Sequence, residues 1–434
     1  MGNDWQMVPV ADVAIPVLGG TPKRSVSEYW GGSVKWASAR DIASAGGRYI
    51  YQTQETITEK GVKNSAAKIL PKGTIVITAR GTVGALVQLG FDMAFNQTCY
   101  GLTTKKETSD DYLFYALNGT LQRMHNLTYG TVFETITKKT FYQWKIPLPP
   151  LPEQRAIAHI LGSLDDKIEL NRQMNKTLEA TARAIFKSWF VDFDPVRAKA
   201  EGRPTGLPDD IAALFPDSFE DSELGEIPKG WVVSPLSEFL NIIGGGTPKT
   251  RVEEYWGGDI PWFSVVDAPS ETDVFVIDTE KHITQLGVDK SSTKVLRKGT
   301  TIISARGTVG KCALVGRPMA MNQSCYGIQG KNGESDCFVY FTIRRQVSDL
   351  QRSGHGSVFN TITRDTFKTI RIASPPTNLT TSYEEIVHPF MELILANLHE
   401  NATLISLRDT LLPKLISGEL RVPDAGKFVE EAGV

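Results

Sequence analysis

The sequence predicts an α+β protein made of two copies of one plan: two homologous α/β domains joined by two long helices that pair as an antiparallel coiled coil, with pseudo-twofold symmetry. Three observations predict it. Motifs recur at one constant spacing, β-branched runs between turn residues fill the front of each copy, and a heptad-patterned helix closes each copy.

The recurrence comes first. GGTPK at residues 19–23 returns at 245–249, EYWGG from Glu28 returns from Glu254, and ARGTVG from Ala79 returns from Ala305. NQTCYG from Asn96 returns as NQSCYG from Asn322, and GTVFETIT from Gly130 as GSVFNTIT from Gly356. Every matched pair lies 226 residues apart, Trp5 with Trp231 and Pro149-Pro150 with Pro375-Pro376 included. A period this long is a duplicated domain pair, whereas solenoid repeats are about 20–45 residues long.

Each copy opens with mixed strand and turn character. β-Branched runs at residues 74–78 and 300–304 sit between Gly, Pro and Asn punctuation. A long helix is predicted after LPPLPEQ, with Pro152 and Glu153 suited to its first turn. Its seam runs through Ile157, Leu161, Leu164 and Ile168, then Leu178, Ala182, Ile185 and Trp189, in steps of four and three. The second seam uses Val387, Phe390 and Ile394, then Leu404, Leu411 and Leu415.

Both seams are polar at their midpoints, at Asn171 and Asn175 in one and Asn397 and Asn401 in the other. A buried asparagine lowers stability but fixes register and partner orientation. Antiparallel packing brings the two polar layers together with apolar layers on both sides. Parallel packing also aligns them, but an antiparallel pair puts one domain at each end of a rod. About 33 residues give a rod of roughly 50 Å. An ordinary amphipathic core is the plainer alternative.

Length and composition fit a globular protein of two to four domains: 434 residues, 41% hydrophobic and 22% charged. No apolar run approaches the roughly 18–20 residues that cross a bilayer, and the first residues show no leader pattern, so a cytoplasmic protein without membrane contact is expected. Cys99, Cys312, Cys325 and Cys337 form no CxxC pair and read as reduced thiols. The net charge of −2 runs against a lone nucleic-acid-binding protein.

Residues 148–203, opening LPPLPEQRAIAHILGSLDDKIELNRQ, resemble the central region of type I restriction-modification specificity subunits. DSELGEIPKGW from Asp221 resembles the opening of their second recognition domain, and LRDTLLPKLISGELRV, ending at Val422, the close of their distal region. GGTP, ARGTVG and the NQ-C-YG element are similar to those of their target recognition domains. The resemblance implies target recognition domains at residues 1–148 and 222–374, with helical spacer regions at 149–221 and 375–434. It implies that each domain reads a half-site of duplex DNA while the helices fix a spacer and dock two methyltransferase subunits. Endonuclease and translocase subunits complete the implied assembly. S-adenosylmethionine, ATP and Mg then act on those partners, leaving this chain without catalytic residues, cofactor or metal.

Candidate DNA contacts follow from residue chemistry. Arg80 and Thr82, with Arg306 and Thr308, sit in glycine-flanked turns where a phosphate or a guanine edge fits; a structural turn is the alternative. Lys23 and Lys249 lie beside glycines and suit phosphate contact, mere surface charge being the alternative; Trp30 and Trp256 are expected to be buried. Trp36 and Trp262 read as core. The amides of Asn96, Gln97, Asn322 and Gln323 suit adenine, or else brace their own loops. Positions that differ between copies are expected to discriminate half-sites, with neutral drift the alternative at any single position. Among them are Lys35 and Arg40, which become Pro261 and Val266, Tyr129, which becomes His355, and the dissimilar stretches 42–54 and 268–280.

Enzymatic motifs are lacking. ARGTVG has no Lys-Ser/Thr pair of a phosphate loop, which counts against a nucleotide-hydrolysing enzyme. Ser374-Pro375-Pro376-Thr377 ends in Thr where an adenine methyltransferase needs a stacking aromatic, and it reads as a helix start. Pro216-Asp217 has no suitably spaced lysine for a nuclease, and six histidines offer no HExxH. A helical scaffold whose end domains bind proteins or glycans is the rival from another class.

Overall fold

The computed structural model describes residues 5–127, 135–269, 273–331, 333–353 and 361–422. The chain divides into two compact units, residues 1–170 with 401–434 and residues 171–400.

In unit 1, a five-stranded sheet runs in the order Ala14–Leu18, Cys99–Thr104, Ile75–Thr78, Leu86–Leu89, Tyr49–Ile50. All neighbours are antiparallel except the last pair. The strand Ile75–Thr78 is buried throughout, so its unbroken apolar run is that of a central strand. A three-stranded sheet places Trp30–Ala37 between Glu55–Ile57 and Ala94–Phe95. Gln6–Pro9 pairs with Lys145–Leu148, which leads directly into the helix Leu151–Phe190.

Unit 2 repeats this order strand for strand: Leu240–Gly244, Cys325–Gly330, Thr301–Ser304, Cys312–Val315, Phe275–Val276. Its three-stranded sheet is His282–Ile283, Trp256–Phe263, Ala320–Met321, and Val232–Pro235 pairs with Arg371–Ser374 ahead of the helix Thr377–Ser417. The offset predicted from sequence is thus an offset of whole domains. The amides of Leu379 and Thr380 donate to Pro376 O, so the SPPT stretch is a helix start, as its repeat partner implied.

The long helices have 40 and 41 residues, more than the 33 expected. Within each unit they run antiparallel. In unit 1, Ile157, Leu161, Leu164 and Ile168 share one core with Leu404, Leu411 and Leu415. In unit 2, Ala182 and Trp189 share a core with Val387 and Ile394, and the Tyr383 hydroxyl donates to Ala182 O at 3.1 Å. The strict seam loosens there: Leu178, Ile185 and Phe390 are only half-buried, while Phe186 and Met391 are buried. The cause is a broader apolar face. Phe186 and Phe190 also pack on Phe338, Phe341 and Tyr383 from neighbouring helices, with ring centroids 4.9–6.1 Å apart.

All four mid-helix asparagines are buried, at 0–6% exposure. In unit 2, Asn397 Nδ2 donates to Asn175 Oδ1 and Asn171 Nδ2 donates to Glu400 Oε2 at 2.6 Å. Glu400 is an unforeseen member of this polar layer.

A candidate nucleic-acid interface

Three loops, distant in sequence, meet at one end of the unit 1 sheets. The strand Ile75–Thr78 ends in the ARGTVG turn, where the Thr78 hydroxyl donates to Thr82 O and accepts from the Ala85 amide at 2.9 Å. Gly81 and Gly84 take φ of +80° and +92°, a region that favours glycine. The Ala79 amide donates to Thr98 O at 2.7 Å, tying this turn to the NQTC loop. That loop in turn receives the Thr21 hydroxyl at Gln97 Oε1 and the Gly20 amide at Phe95 O. Gly19 runs so close to it that a Cβ would overlap Asn96 O. The glycines of GGTPK therefore serve close backbone approach.

Unit 2 rebuilds every joint. The Ser304 hydroxyl donates to Thr308 O and accepts from the Lys311 amide, Ala305 N donates to Ser324 O, and Thr247 donates to Gln323 Oε1. A Cβ at Gly245 would overlap Asn322 O.

The clusters expose Lys23, Arg80, Thr82 and Gln97 in unit 1 and Lys249, Arg306, Thr308 and Gln323 in unit 2. Among the described residues, none of these four cations has an ion-pair partner. Each cluster thus offers two cations and an amide on a backbone fixed from below, which suits a polyanion bearing hydrogen-bonding edges.

Other candidates fare differently. Asn96 Oδ1 accepts from the Thr98 amide and hydroxyl and from Cys99 Sγ, and Asn322 Oδ1 accepts from the Ser324 amide, so the bracing alternative takes up that end of each side chain. Lys35 is spent inside its domain: its ammonium donates to Tyr51 O at 2.6 Å and lies 5.0 Å from the Phe91 ring centroid. Arg40 is exposed on the short helix Ala39–Ala43. Trp30 and Trp256 are half-buried rather than buried, each resting edge-on against its neighbour, Trp36 or Trp262. Trp36 and Trp262 are core. Tyr129 and His355 lie outside the described residues.

The stretch 42–54, expected to discriminate half-sites, is structural in part and exposed at Ala43, Ser44, Gly46, Gln52 and Gln54. Ile42, Arg48 and Ile50 are buried, and the Arg48 guanidinium bonds Gln88 Oε1, Asp111 Oδ1 and, at 3.3 Å, the Tyr115 hydroxyl. Tyr115 donates to Asp165 at 2.6 Å, and Asp165 accepts from Arg408 at 2.7 Å, so one polar chain links this stretch to the helix seam within unit 1. Burial pushes the Tyr115 hydroxyl far above its ordinary value, helped by the Asp165 charge. Burial opposes the charge of Arg48, while Tyr115 and Asp111 more than restore it. In unit 2 the equivalent positions are Val274, Leu314, Cys337, Phe341 and Met391. The two copies solve one packing problem with opposite chemistries. Only a side-by-side reading of these five columns signals this in the sequence.

The sequence matches the type I restriction modification DNA specificity domain twice, at residues 2–180 and 228–404. This chain belongs to that family. The specificity chain is 27% identical over 428 residues to the type I restriction enzyme MjaIX specificity subunit of Methanocaldococcus jannaschii, spanning 97% of this chain and 95% of the relative. It is 30% identical over 334 residues to the HindI specificity subunit of Haemophilus influenzae, across 66% and 72% of the two chains. Its fold is similar to the crystal structure of the type I restriction-modification system S subunit from M. genitalium, with TM-score 0.55, 16% identity and 95% and 96% coverage. Specificity chains of this family are noncatalytic, which accounts for the missing enzymatic motifs. Among the described residues no His, Cys, Asp or Glu cluster is suited to a metal, and no helix is long and apolar enough to cross a membrane.

Proposed function

We propose that this chain selects a bipartite duplex DNA target, one half-site per recognition domain, and directs partner subunits to methylate or cleave it. Each three-loop cluster lies against its half-site, with Lys23, Arg80 and Arg40 of the first domain and Lys249 and Arg306 of the second on phosphates or guanine edges. Gln97 and Gln323 contact base edges directly, and Thr82 and Thr308 flank them. The observation that carries this reading is the convergence, in both copies, of three repeated motifs into one exposed cluster of unpaired cations and an amide.

In this reading, residues 1–148 and 222–374 are the recognition domains, and residues 149–221 and 375–434 hold the spacer and dock two methyltransferase subunits, then endonuclease and translocase subunits. S-adenosylmethionine, ATP and Mg belong to those partners, and the assembly works in the cytoplasm. A net charge of −2 fits a division of labour in which partners bear much of the phosphate contact and this chain most of the base reading.

The test is coexpression with the cognate methyltransferase subunit and single-molecule mapping of N6-methyladenine across the host genome. One two-part motif with a fixed gap is expected. A stable, active complex that methylates no such motif would overturn the proposal and favour a protein- or glycan-binding scaffold.

A further inference from the structure

The two copies treat one aromatic face differently. In unit 1 the Arg24 guanidinium carbon lies 4.0 Å from the Trp30 ring centroid, and its two terminal nitrogens bond the Glu55 carboxylate, so a flat group already covers the indole. In unit 2 the indole pair is kept, Trp256 standing edge-on to Trp262 at 5.1 Å, but Arg24 becomes Thr250 and Glu55 becomes Lys281. A cavity of about 520 Å³ opens beside Trp256, lined by Thr250, Glu280, Lys281 and His282 over the backbone of two glycines.

We propose that this cavity receives a DNA base that has left the stack, its face on the Trp256 indole and its phosphate against Lys281. The inference rests on the DNA-recognition reading above. Shape comes from the first copy, where the same indole is capped by a planar guanidinium. Charge selects the occupant: the carboxylate that clamps the planar cation in the first copy is replaced by a lysine, which favours a neutral plane carrying a neighbouring anion, and a nucleotide has that make-up. Glu280 at the rim adds an acceptor for the exocyclic amine of adenine or cytosine. Position agrees as well. Trp256 Nε1 donates to Lys249 O at 3.4 Å, and Thr247, in the same loop, bonds Gln323, so the cavity adjoins the proposed base-reading cluster. His282 is held at its edge by Asp278 at 2.9 Å. The first domain, capped by Arg24, has no such seat, which confines base capture to the second half-site.

The experiment uses the complex with its methyltransferase subunit and a duplex carrying the mapped motif, with halogenated photoreactive analogues substituted base by base. Irradiation and peptide mass spectrometry should find an adduct on Trp256 from one position of the second half-site, and none on Trp30. Trp256→Ala should weaken target binding about tenfold, and Trp256→Phe should largely keep it. Arg24→Thr with Glu55→Lys, both exposed, should create an adduct on Trp30; this variant carries the test if Trp256→Ala misfolds. A complex that methylates its motif yet gives no Trp256 adduct and no change in affinity overturns the inference while leaving DNA recognition intact. A complex that methylates no motif removes both.

Discussion

Asn397 Nδ2 donates a 2.8 Å hydrogen bond to Asn175 Oδ1, with both side chains buried in a helix pair whose other inward positions are largely apolar. Replacing either residue with alanine should cost about 1–3 kcal/mol, because the remaining amide loses its partner. Replacing both with leucine should restore or raise the melting temperature while loosening register. Size-exclusion chromatography with light scattering would then show self-associated species absent from the wild type.

The Asp165–Arg408 pair can be tested against the protein's own alternative. The Asp165 side chain is 6% exposed, and the equivalent positions in unit 2 are the buried Met391 and Ala182. Arg408→Ala alone should destabilise by about 3–5 kcal/mol, since it strands a buried carboxylate. Adding Asp165→Met should recover most of that in thermal melts. Failure to recover would mean that the surrounding helices are shaped for the ion pair.

Arg80→Ala and Arg306→Ala should leave the unfolding free energy within about 0.5 kcal/mol of wild type, as both side chains are exposed. Each should weaken binding of the mapped duplex. If the contact is to phosphate, the log–log salt slope falls by about 1; if it is to guanine, one base of one half-site becomes degenerate.

Exchange of residues 42–54 for 268–280 brings Val274 to the position of Arg48, against Gln88, Asp111 and Tyr115. The simple exchange should lower stability by several kcal/mol, an unpaired buried polar group costing about 1–3 kcal/mol each. Adding Gln88→Leu, Asp111→Cys and Tyr115→Phe should return it, as read by thermal melting. Specificity changes would be interpretable only in the second version.

Burial pushes the Cys99 and Cys325 thiols up to about 12. A folded pKa raised above the ordinary value near 9 gives stability that is whole below pH 9 and lost as pH climbs towards 12. Stability should fall between pH 9 and 11, by up to about 1.4 kcal/mol per thiol per pH unit, with melting temperatures falling alongside, and should fall less steeply in Cys99→Ala with Cys325→Ala. Both thiols should resist alkylation at neutral pH until the protein unfolds.

The duplication, the helices and their polar midpoints were legible because each leaves a periodic trace in the sequence, as at Asn175 and Asn397. The loop cluster was legible in membership but not in use. Asn96 and Gln97 are adjacent amides in one motif, and the oxygen of each accepts a bond from its own loops, yet only Gln97 is exposed, which the sequence does not signal. The role of Arg48 was not legible for a related reason: its partners Gln88, Asp111 and Tyr115 are scattered along the chain and carry no local signal. The Arg24 and Trp30 stack escaped notice because EYWGG is shared by both copies, and the difference lies in what covers it.

The hydroxyl of Thr78, and of Ser304 in the second copy, closes the base of each ARGTVG turn by bonding backbone atoms only. The shape of the turn is therefore indifferent to the side chains at positions 80, 82, 306 and 308. Substitutions there carry little folding penalty, so under the proposed DNA-reading role a change of target sequence would be open to single substitutions through folded intermediates, whereas the glycines and the hydroxyl beneath are bound to the shape of the turn.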